Sequence, residues 1–240
     1  MAQLNDKVAF ITGGSKGIGL GTAHILMAQG MNVFFTARGQ ESISHAEREL
    51  NSKNYTGKVY GLSCDVTNYE AMQQASAKCL DIFGGIDALI ANAGVGHFAP
   101  IEEMTIEQWQ NTMDINLTGV FNTVKCGLMA LKESKGYIIT ISSLAGTNFF
   151  PAGAAYNASK FGLTGFTQAV MLDLRKYGIK VSTIMPGSVS THFNGHEPSE
   201  KDAWKIQPED IGQLVLDLLK MNPRTLPSKI EVRPSSPSAK

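Results

Sequence analysis

Tyr156 and Lys160 are four positions apart in the segment YNASK, a spacing that places two side chains on one face of a helix. A free tyrosine has a pKa of about 10 and is a poor proton donor or acceptor near neutral pH. A neighbouring ammonium group favours the phenolate and brings the phenol closer to its working range. The pair is therefore a candidate proton-transfer site, although a packed tyrosine beside a surface lysine gives the same spacing.

Ser143 precedes this pair and follows a short apolar run, residues 137–142, that predicts a strand. Ligands of open α/β sheets bind beyond the carboxyl ends of the strands, so this hydroxyl is placed where a substrate carbonyl would lie. The alternative is a loop hydroxyl that caps local backbone.

A glycine-rich turn, TGGSKGIG at residues 12–19, follows the first predicted strand and precedes a helix. Gly13, Gly17 and Gly19 are suited to a tight turn, close approach of a pyrophosphate, and helix–strand packing. Ser15, Lys16 and Ile18 complete the turn. The pattern predicts a dinucleotide site, the alternative being a purely structural loop.

The second predicted strand indicates which dinucleotide is bound. It ends without the carboxylate that binds the ribose 2′-hydroxyl of NAD, and Arg38 follows immediately. A guanidinium pairs with a 2′-phosphate, and Lys16 supplies a second positive charge. Unless both cations are only solvated surface charges, the site favours NADP(H).

Composition excludes several classes of partner. The 21 basic and 21 acidic residues cancel, which argues against binding a nucleic acid. No apolar run is long enough to span a membrane, and the start of the chain lacks the pattern of a signal peptide. Three widely separated cysteines suggest reduced thiols in the cytoplasm, and no ligand spacing predicts a metal site.

Strands and helices are predicted to alternate along the chain. Several strands are apolar throughout, as expected when both faces of a sheet are covered. The fold class is therefore α/β, a doubly wound, parallel, seven-stranded sheet (Rossmann fold) with helices on both faces. The predicted strands are Lys7–Thr12, Asn32–Ala37, Lys58–Cys64, Ala88–Ala91, Tyr137–Ser142, Lys180–Met185 and Ile230–Arg233, and the predicted helices lie near 17–29, 40–52, 68–83, 106–133, 157–177 and 208–221.

With these motifs in order, the chain resembles the short-chain dehydrogenase/reductase family, in its short single-domain branch, over nearly its whole length. The segments that carry the resemblance are Thr12–Gly19, Asp65-Val66, Asn92-Ala93-Gly94, Asn116, Ser143, Tyr156, Lys160 and Pro186–Thr191.

The resemblance implies a role for each matching residue. Tyr156 would be the general acid or base, Ser143 would bind the substrate oxygen, and Lys160 would lower the phenol pKa and bind the nicotinamide ribose. Asn116 would hold a water of the proton relay. Contacts to the dinucleotide are implied for Asp65 and Val66 at the adenine, for Asn92, Ala93 and Gly94 near the ribose, and for Pro186, Gly187, Val189 and Thr191 near the carboxamide.

Residues expected to bind the substrate lie around Ser143. His97 follows the Asn92-Ala93-Gly94 turn, and Phe149 and Phe150 lie between Ser143 and Tyr156. They favour an uncharged, partly hydrophobic carbonyl compound. Residues 191–206 form a short polar lid, which suggests an open or mobile site.

We predict one catalytic domain over residues 1–233, with 234–240 as a flexible polar tail. Helices 106–133 and 157–177 carry apolar residues on more than one face, as expected for a homodimer or homotetramer. The predicted activity is reduction of a ketone, aldehyde or 3-oxoacyl compound. The alternatives are oxidation of a hydroxy acid, hydroxysteroid or sugar alcohol, and a binding protein that senses NADPH.

Overall fold

The computed structural model describes residues 4–236, where seven strands alternate with seven α-helices. The strands are β1 Val8–Thr12, β2 Asn32–Ala37, β3 Val59–Ser63, β4 Ala88–Ala91, β5 Tyr137–Ile141, β6 Lys180–Pro186 and β7 Lys229–Val232. The helices are α1 Gly17–Met27, α2 Gln40–Asn51, α3 Tyr69–Phe83, α4 Ile106–Met113, α5 Gly119–Ser134, α6 Ala154–Leu174 and α7 Pro208–Lys220.

All strand pairs are parallel, and the order across the sheet is β3-β2-β1-β4-β5-β6-β7. The order reverses direction between β1 and β4, which creates a crevice at the carboxyl ends of these two strands. This Rossmann-like α/β architecture confirms the predicted fold class.

Two hydrophobic cores lie on opposite faces of the sheet, because successive side chains of a strand point to opposite sides. Ala9 and Ile11 of β1 pack in one core with α1, α2 and α7. Val8 and Phe10 pack in the other with α3, α5 and α6. Covering both faces in this way explains why the central strands are apolar throughout.

The predicted helix over 106–133 is wrong in one respect, because a π-helical turn at Asp114–Thr118 separates α4 from α5. Such a turn inserts an extra residue into a helix and is frequent at functional sites. It buries Ile115 and Asn116, so it determines where Asn116 points. An apolar periodicity does not reveal a single inserted residue.

The segment after β6 is a folded loop with two short 3₁₀ turns, Phe193–Gly195 and Glu200–Asp202. Backbone bonds close its base, where the amide of Ser190 donates to the carbonyl of Ile206 at 2.9 Å. The amide of Ile206 donates to the carbonyl of Ser188 at 3.1 Å. We call residues 191–205 the lid.

Within residues 4–236 no helix is long and apolar enough to cross a membrane. Residues 235 and 236 of the predicted polar tail are exposed, and 237–240 lie outside the described residues. The division into a catalytic domain and a tail therefore stays a prediction.

Candidate active site

A cleft of about 970 Å³ lies at the carboxyl edge of the sheet. It is lined by residues that follow β1, β2, β4, β5 and β6, and by the lid. Every residue that the sequence assigns to the dinucleotide lines this cleft except Gly19. Gly19 is buried behind the turn, where an added Cβ would collide with the carbonyl oxygen of Gly13. Its role is thus close packing.

The turn after β1 has a conformation that only glycine adopts easily. Gly13 and Gly17 have φ of +67° and +55°, in the left-handed region. A Cβ at Gly13 would lie 3.0 Å from the Cα of Ala93, so the turn is packed directly against the end of β4. Helix α1 begins at Gly17, and its first two residues, Gly17 and Ile18, line the cleft. The first amides of a helix have no partner within the helix. The turn therefore fits a pyrophosphate.

Asn92 supports this turn through its side chain. Its Nδ2 donates to the carbonyl oxygens of Thr12 and Gly13 at 2.9 and 3.0 Å. The hydroxyl of Thr12 accepts from the amides of Asn92 and Ala93. Both amide hydrogens of Asn92 are thus used within the protein, which makes this side chain a positioning group for the turn.

At the other end of the cleft, Arg38 and Lys16 are exposed and line its wall. In the part of the chain that the structure describes, neither forms an ion pair with a carboxylate. Both cations are therefore free to bind an anion such as a 2′-phosphate.

Asp65 and Val66, which follow β3, also line this end of the cleft. The Oδ1 of Asp65 accepts from the amide and the hydroxyl of Thr67 at 2.9 and 2.8 Å. The Nδ2 of Asn122 donates to the carbonyl of Val66 at 2.9 Å. Asn122 lies on α5 and carries no recognisable motif, so the sequence did not identify it as the residue that fixes this wall.

Tyr156 and Lys160 both lie on α6, in its first two turns, as the spacing predicts. The Nζ of Lys160 is buried, donates to the carbonyl of Ile141 at 3.0 Å, and lies 5.7 Å from the centre of the Tyr156 ring. Ser143, just beyond β5, accepts a hydrogen bond from the amide of Ala145 at 3.1 Å and lies close enough to the phenol to oppose the rise of its pKa. The three side chains thus meet at one point of the cleft.

Burial shifts both ionisable groups of this cluster toward their neutral forms. It raises the pKa of Tyr156 above its usual value, and the nearby hydroxyl of Ser143 opposes the rise. Burial lowers the pKa of Lys160 to about 8. In the protein alone, desolvation outweighs any lowering of the phenol pKa, since the ammonium of Lys160 interacts with the Ile141 carbonyl. The lowering of that pKa by Lys160 stays a prediction.

Asn116 is fully buried beneath the cleft, and its side chain is saturated by protein partners. Its Oδ1 accepts from the amide of Val95 at 2.8 Å, and its Nδ2 donates to the carbonyl of Val95 and the hydroxyl of Ser159. The side chain joins the π-helical turn to the loop after β4 and to α6. The expected water would consequently have to contact the main chain at this position.

Asn157, to which the sequence motifs assign no role, connects the loop after Ser143 to α6. Its Nδ2 donates to the carbonyls of Ala145 and Asn148 at 2.8 and 2.7 Å. The loop that carries Ser143 is thereby attached to α6 next to Tyr156. Its position between Tyr156 and Lys160 was the one feature of the sequence that could have indicated this role.

Of the four residues expected to contact substrate, two line the cleft. Ser143 does so, and so does His97, whose Nε2 lies 3.2 Å from the Oδ1 of Asn111. Phe149 does not, since it is 83% exposed and stacks on Phe161 at 5.5 Å. The assignment of Phe149 is therefore wrong, because its side chain points out to solvent from the loop.

Phe150 also lies outside the cleft wall, and it packs behind Phe98 with ring centres 5.7 Å apart. The aromatic wall is formed instead by Phe98 and Phe193, which line the cleft. Their ring centres lie 5.3 and 5.7 Å from that of Tyr156. The sequence places both near the site but does not show that they meet.

The lid is a folded segment built around a buried carboxylate. The open or mobile site that the sequence suggests stays a prediction. Asp202 forms ion pairs with Lys205 at 2.5 Å and His196 at 2.7 Å, and accepts from the amide of Ser199. These partners lower the pKa of Asp202 to about 2, and the hydrogen bond with Lys205 has the largest effect. The carboxylate therefore stays ionised at all ordinary pH values and fixes the lid.

The described residues contain no group of three or more histidines, cysteines or acidic residues arranged to bind a metal. The chemical groups at the site are a phenol, a hydroxyl and a buried amine next to a cleft that fits a dinucleotide. Such a set can transfer a proton to or from an oxygen atom of a substrate.

Comparison with known proteins agrees with this geometry. The model of the family described as short chain dehydrogenase matches residues 7–202. The trans-4-hydroxycyclohexanecarboxylate dehydrogenase of Sinomonas cyclohexanicum is 34% identical over 227 residues, which cover 90% of this chain and 86% of that protein.

Two solved structures have the same fold over almost the whole chain. An alcohol dehydrogenase from the archaeon Thermococcus sibiricus, in complex with 5-hydroxy-NADP, has a TM-score of 0.90 and 28% identity, and the match covers 98% of this chain and 99% of that one. A metagenomic short-chain oxidoreductase in complex with NADP has a TM-score of 0.84 and 33% identity, and the match covers 98% and 100% of the two chains.

Proposed function

Because the chain belongs to the short-chain dehydrogenase/reductase family, we propose that it is an NADP(H)-dependent oxidoreductase that reduces a carbonyl group to an alcohol. The observation that carries the proposal is the meeting of Tyr156, Ser143 and Lys160 in the same cleft as the glycine turn. The NADP and 5-hydroxy-NADP in the two solved relatives support this choice of cofactor.

Residues of the chain would hold the dinucleotide along the cleft. The turn from Gly13 to Gly17 would bind the pyrophosphate through backbone amides, and Arg38 with Lys16 would bind the 2′-phosphate. Lys160 and Thr191 line the end of the cleft near Tyr156, where the nicotinamide would lie. When bound, NADPH supplies the hydride for the carbonyl carbon.

The side chains of the protein orient the carbonyl oxygen and transfer a proton to it. The hydroxyl of Ser143 donates a hydrogen bond to the carbonyl oxygen, which holds that oxygen beside the phenol of Tyr156. As negative charge develops on the oxygen, the phenol donates its proton to it. A phenol with a raised pKa is protonated at neutral pH, as a general acid must be before the reaction.

The buried ammonium of Lys160 then stabilises the phenolate that remains. Asn116 keeps the π-helical turn against the loop after β4, so the main chain behind Lys160 stays in place. Water that exchanges with solvent there would return the proton to Tyr156.

A dehydrogenase that oxidises a hydroxy acid, hydroxysteroid or sugar alcohol is the second candidate. The chain's similarity to two dehydrogenases, those of Sinomonas cyclohexanicum and Thermococcus sibiricus, favours it. Tyr156 would then act as the general base on the alcohol. Microscopic reversibility makes the same residues competent in both directions.

A panel of carbonyl compounds and alcohols, assayed by the absorbance of NADPH and with NADH alongside, tests the proposal. We expect ketones or aldehydes to be reduced at least tenfold faster with NADPH. Oxidation of alcohols alone would establish the dehydrogenase. Tight binding of NADPH without turnover of any compound would instead support a sensor of NADPH.

We further propose a homodimer or homotetramer that forms through α5 and α6. Their outer faces expose large apolar side chains, namely Phe121, Met129, Phe161 and Leu172 at 48%, 67%, 38% and 61%. Sedimentation velocity would measure the assembly. A cytoplasmic location is also proposed, because all three cysteines are free thiols.

A further inference from the structure

Phe98 and Phe193 pack against the ring of Tyr156 and line the cleft. Phe98 belongs to the loop after β4 and Phe193 to the lid, and their ring centres are 6.4 Å apart at an angle of 60°. Phe98 meets Tyr156 nearly edge-on, at 71°, and Phe193 is tilted by 58°. We call these two residues the aromatic pair.

Gly96 provides the space in which the aromatic pair meets. A Cβ at Gly96 would lie 2.6 Å from Cε1 of Phe193 and 2.9 Å from Cζ of Phe98. Both distances are shorter than any ordinary carbon–carbon contact, so the two rings close over the bare backbone of this glycine. A side chain of any size at position 96 would displace them.

The position of Phe193 is supported by contacts within the folded lid. Asp202 forms its ion pairs inside the lid, and the backbone bonds at Ser190 and Ile206 close its base. The amide of Phe193 donates to the hydroxyl of Thr191 at 3.3 Å. The ring is consequently presented to Tyr156 by a preorganised segment.

Two titratable neighbours of the aromatic pair already have partners in the protein. His97 is paired with Asn111, and Lys205 of the lid is paired with Asp202. His192 of the lid also lines the cleft. The two rings are therefore a large apolar surface for a substrate group that lies beyond the carbonyl. Aromatic rings interact with one another more favourably than with alkyl groups of equal area.

We propose that the aromatic pair, placed by Gly96, determines substrate specificity and selects carbonyl compounds with an aromatic ring next to the carbonyl group. The inference rests on the proposed function, since it requires the carbonyl oxygen to lie at Tyr156 and Ser143. With the oxygen there, the neighbouring substituent lies against the surface that Phe98 and Phe193 form together. An aryl group would contact both rings favourably, whereas an alkyl group would only cover them.

The test compares kcat/KM for an aryl alkyl ketone such as acetophenone with that for an aliphatic ketone of similar size, such as 2-octanone. We expect the wild-type protein to prefer the aryl ketone. Phe98→Leu and Phe193→Leu should each lower this ratio about two- to tenfold, the range that one aromatic contact contributes. The loss should appear mainly in KM, because neither variant changes the groups that move the proton.

Gly96→Ala displaces the aromatic pair without removing a ring. It should lower the ratio of kcat/KM for the aryl ketone to kcat/KM for the aliphatic ketone by as much as Phe193→Leu does. The matched control is Gly165→Ala, since a Cβ at Gly165 meets nothing within 4 Å. Phe149→Leu is the aromatic control, because Phe149 lies outside the cleft, and its ratio should equal that of the wild type.

The outcomes separate this inference from the proposed function. Unchanged ratios in Phe98→Leu, Phe193→Leu and Gly96→Ala, in protein that still reduces ketones, would overturn the specificity role alone. A wild-type preference for the aliphatic ketone would do the same. Failure of the wild type to reduce any carbonyl compound would overturn the proposed function instead. Fluorescence titration with NADPH verifies that each variant is folded and binds the dinucleotide.

Discussion

The two ends of the cleft are built in different ways. At the dinucleotide end, the backbone of the glycine turn is the central feature, and the turn is fixed by Asn92 and by its contact with Ala93. At the substrate end, aromatic side chains form part of the wall, and they come from two loops whose rings meet over Gly96. Backbone geometry suits a ligand common to many enzymes, and side chains suit a ligand that differs from one enzyme to the next.

Tyr156 lies where the two ends meet, and its replacement should have the largest effect. Tyr156→Phe removes the proton donor and leaves the ring packing, so we expect kcat to fall by about 10²- to 10⁴-fold. NADPH affinity, measured by fluorescence titration, should stay within about twofold of the wild type. Wild-type turnover in this variant would sink the assignment of Tyr156 as the acid.

Arg38 tests the dinucleotide end by itself. Arg38→Glu replaces a guanidinium with a carboxylate that repels a 2′-phosphate, so the Kd for NADPH should rise about tenfold or more. The Kd for NADH should change little, and the kcat at saturation should remain. Lys53→Ala, which removes an exposed cation far from the cleft, is the control. Tenfold better turnover with NADH in the wild type would refute the roles of Arg38 and Lys16.

Lys160 serves the proposed reaction, but its burial should lower the free energy of unfolding at neutral pH. Its pKa falls from 10.5 to about 8 on burial, so between these pH values the unfolded chain binds a proton that the folded chain has lost. Stability contributed by this site therefore rises with pH across that window. Lys160→Met should remove the rise and increase the free energy of unfolding at pH 7 by about 1–3 kcal/mol.

Urea unfolding of the wild type and Lys160→Met at neutral and alkaline pH measures this effect. Lys53→Met is the matched control at an exposed site, and its stability should follow the wild type. An unfolding free energy of Lys160→Met below that of the wild type at pH 7 would show that the ammonium–carbonyl bond outweighs desolvation.

Replacement of Asp202 tests the substrate end of the cleft, and we expect it to have the smallest effect of these variants. Asp202→Asn keeps the shape of the side chain but removes the charge that pairs with Lys205 and His196. The KM for the carbonyl substrate should rise about threefold and limited proteolysis within residues 191–205 should become faster, because the lid loses its fixed structure. NADPH affinity should not change. Asp81→Asn, which breaks the exposed pair with Lys78, should affect neither measurement.

The dinucleotide end was largely predictable from the sequence because its motifs are local. A glycine turn after a strand, and Arg38 after the next strand, each function within a few residues of chain. The partners that hold these motifs were not predictable, since Asn122 and Asn157 act through contacts with distant or unremarkable backbone. The direction of Phe149 was predicted wrongly, because proximity to Ser143 in sequence does not determine where a loop side chain points.

The sequence by itself determined the alternation of strands and helices, the turn at Gly13–Gly19 and the pairing of Tyr156 with Lys160, since all depend on short-range periodicity or spacing. Only the tertiary structure decided which aromatic rings face Tyr156, how Asn116 is saturated and that the lid is folded. These features depend on contacts between segments far apart in the chain. The pKa shifts of Tyr156 and Lys160 also depend on the tertiary structure, because they follow from the removal of water when those segments pack together.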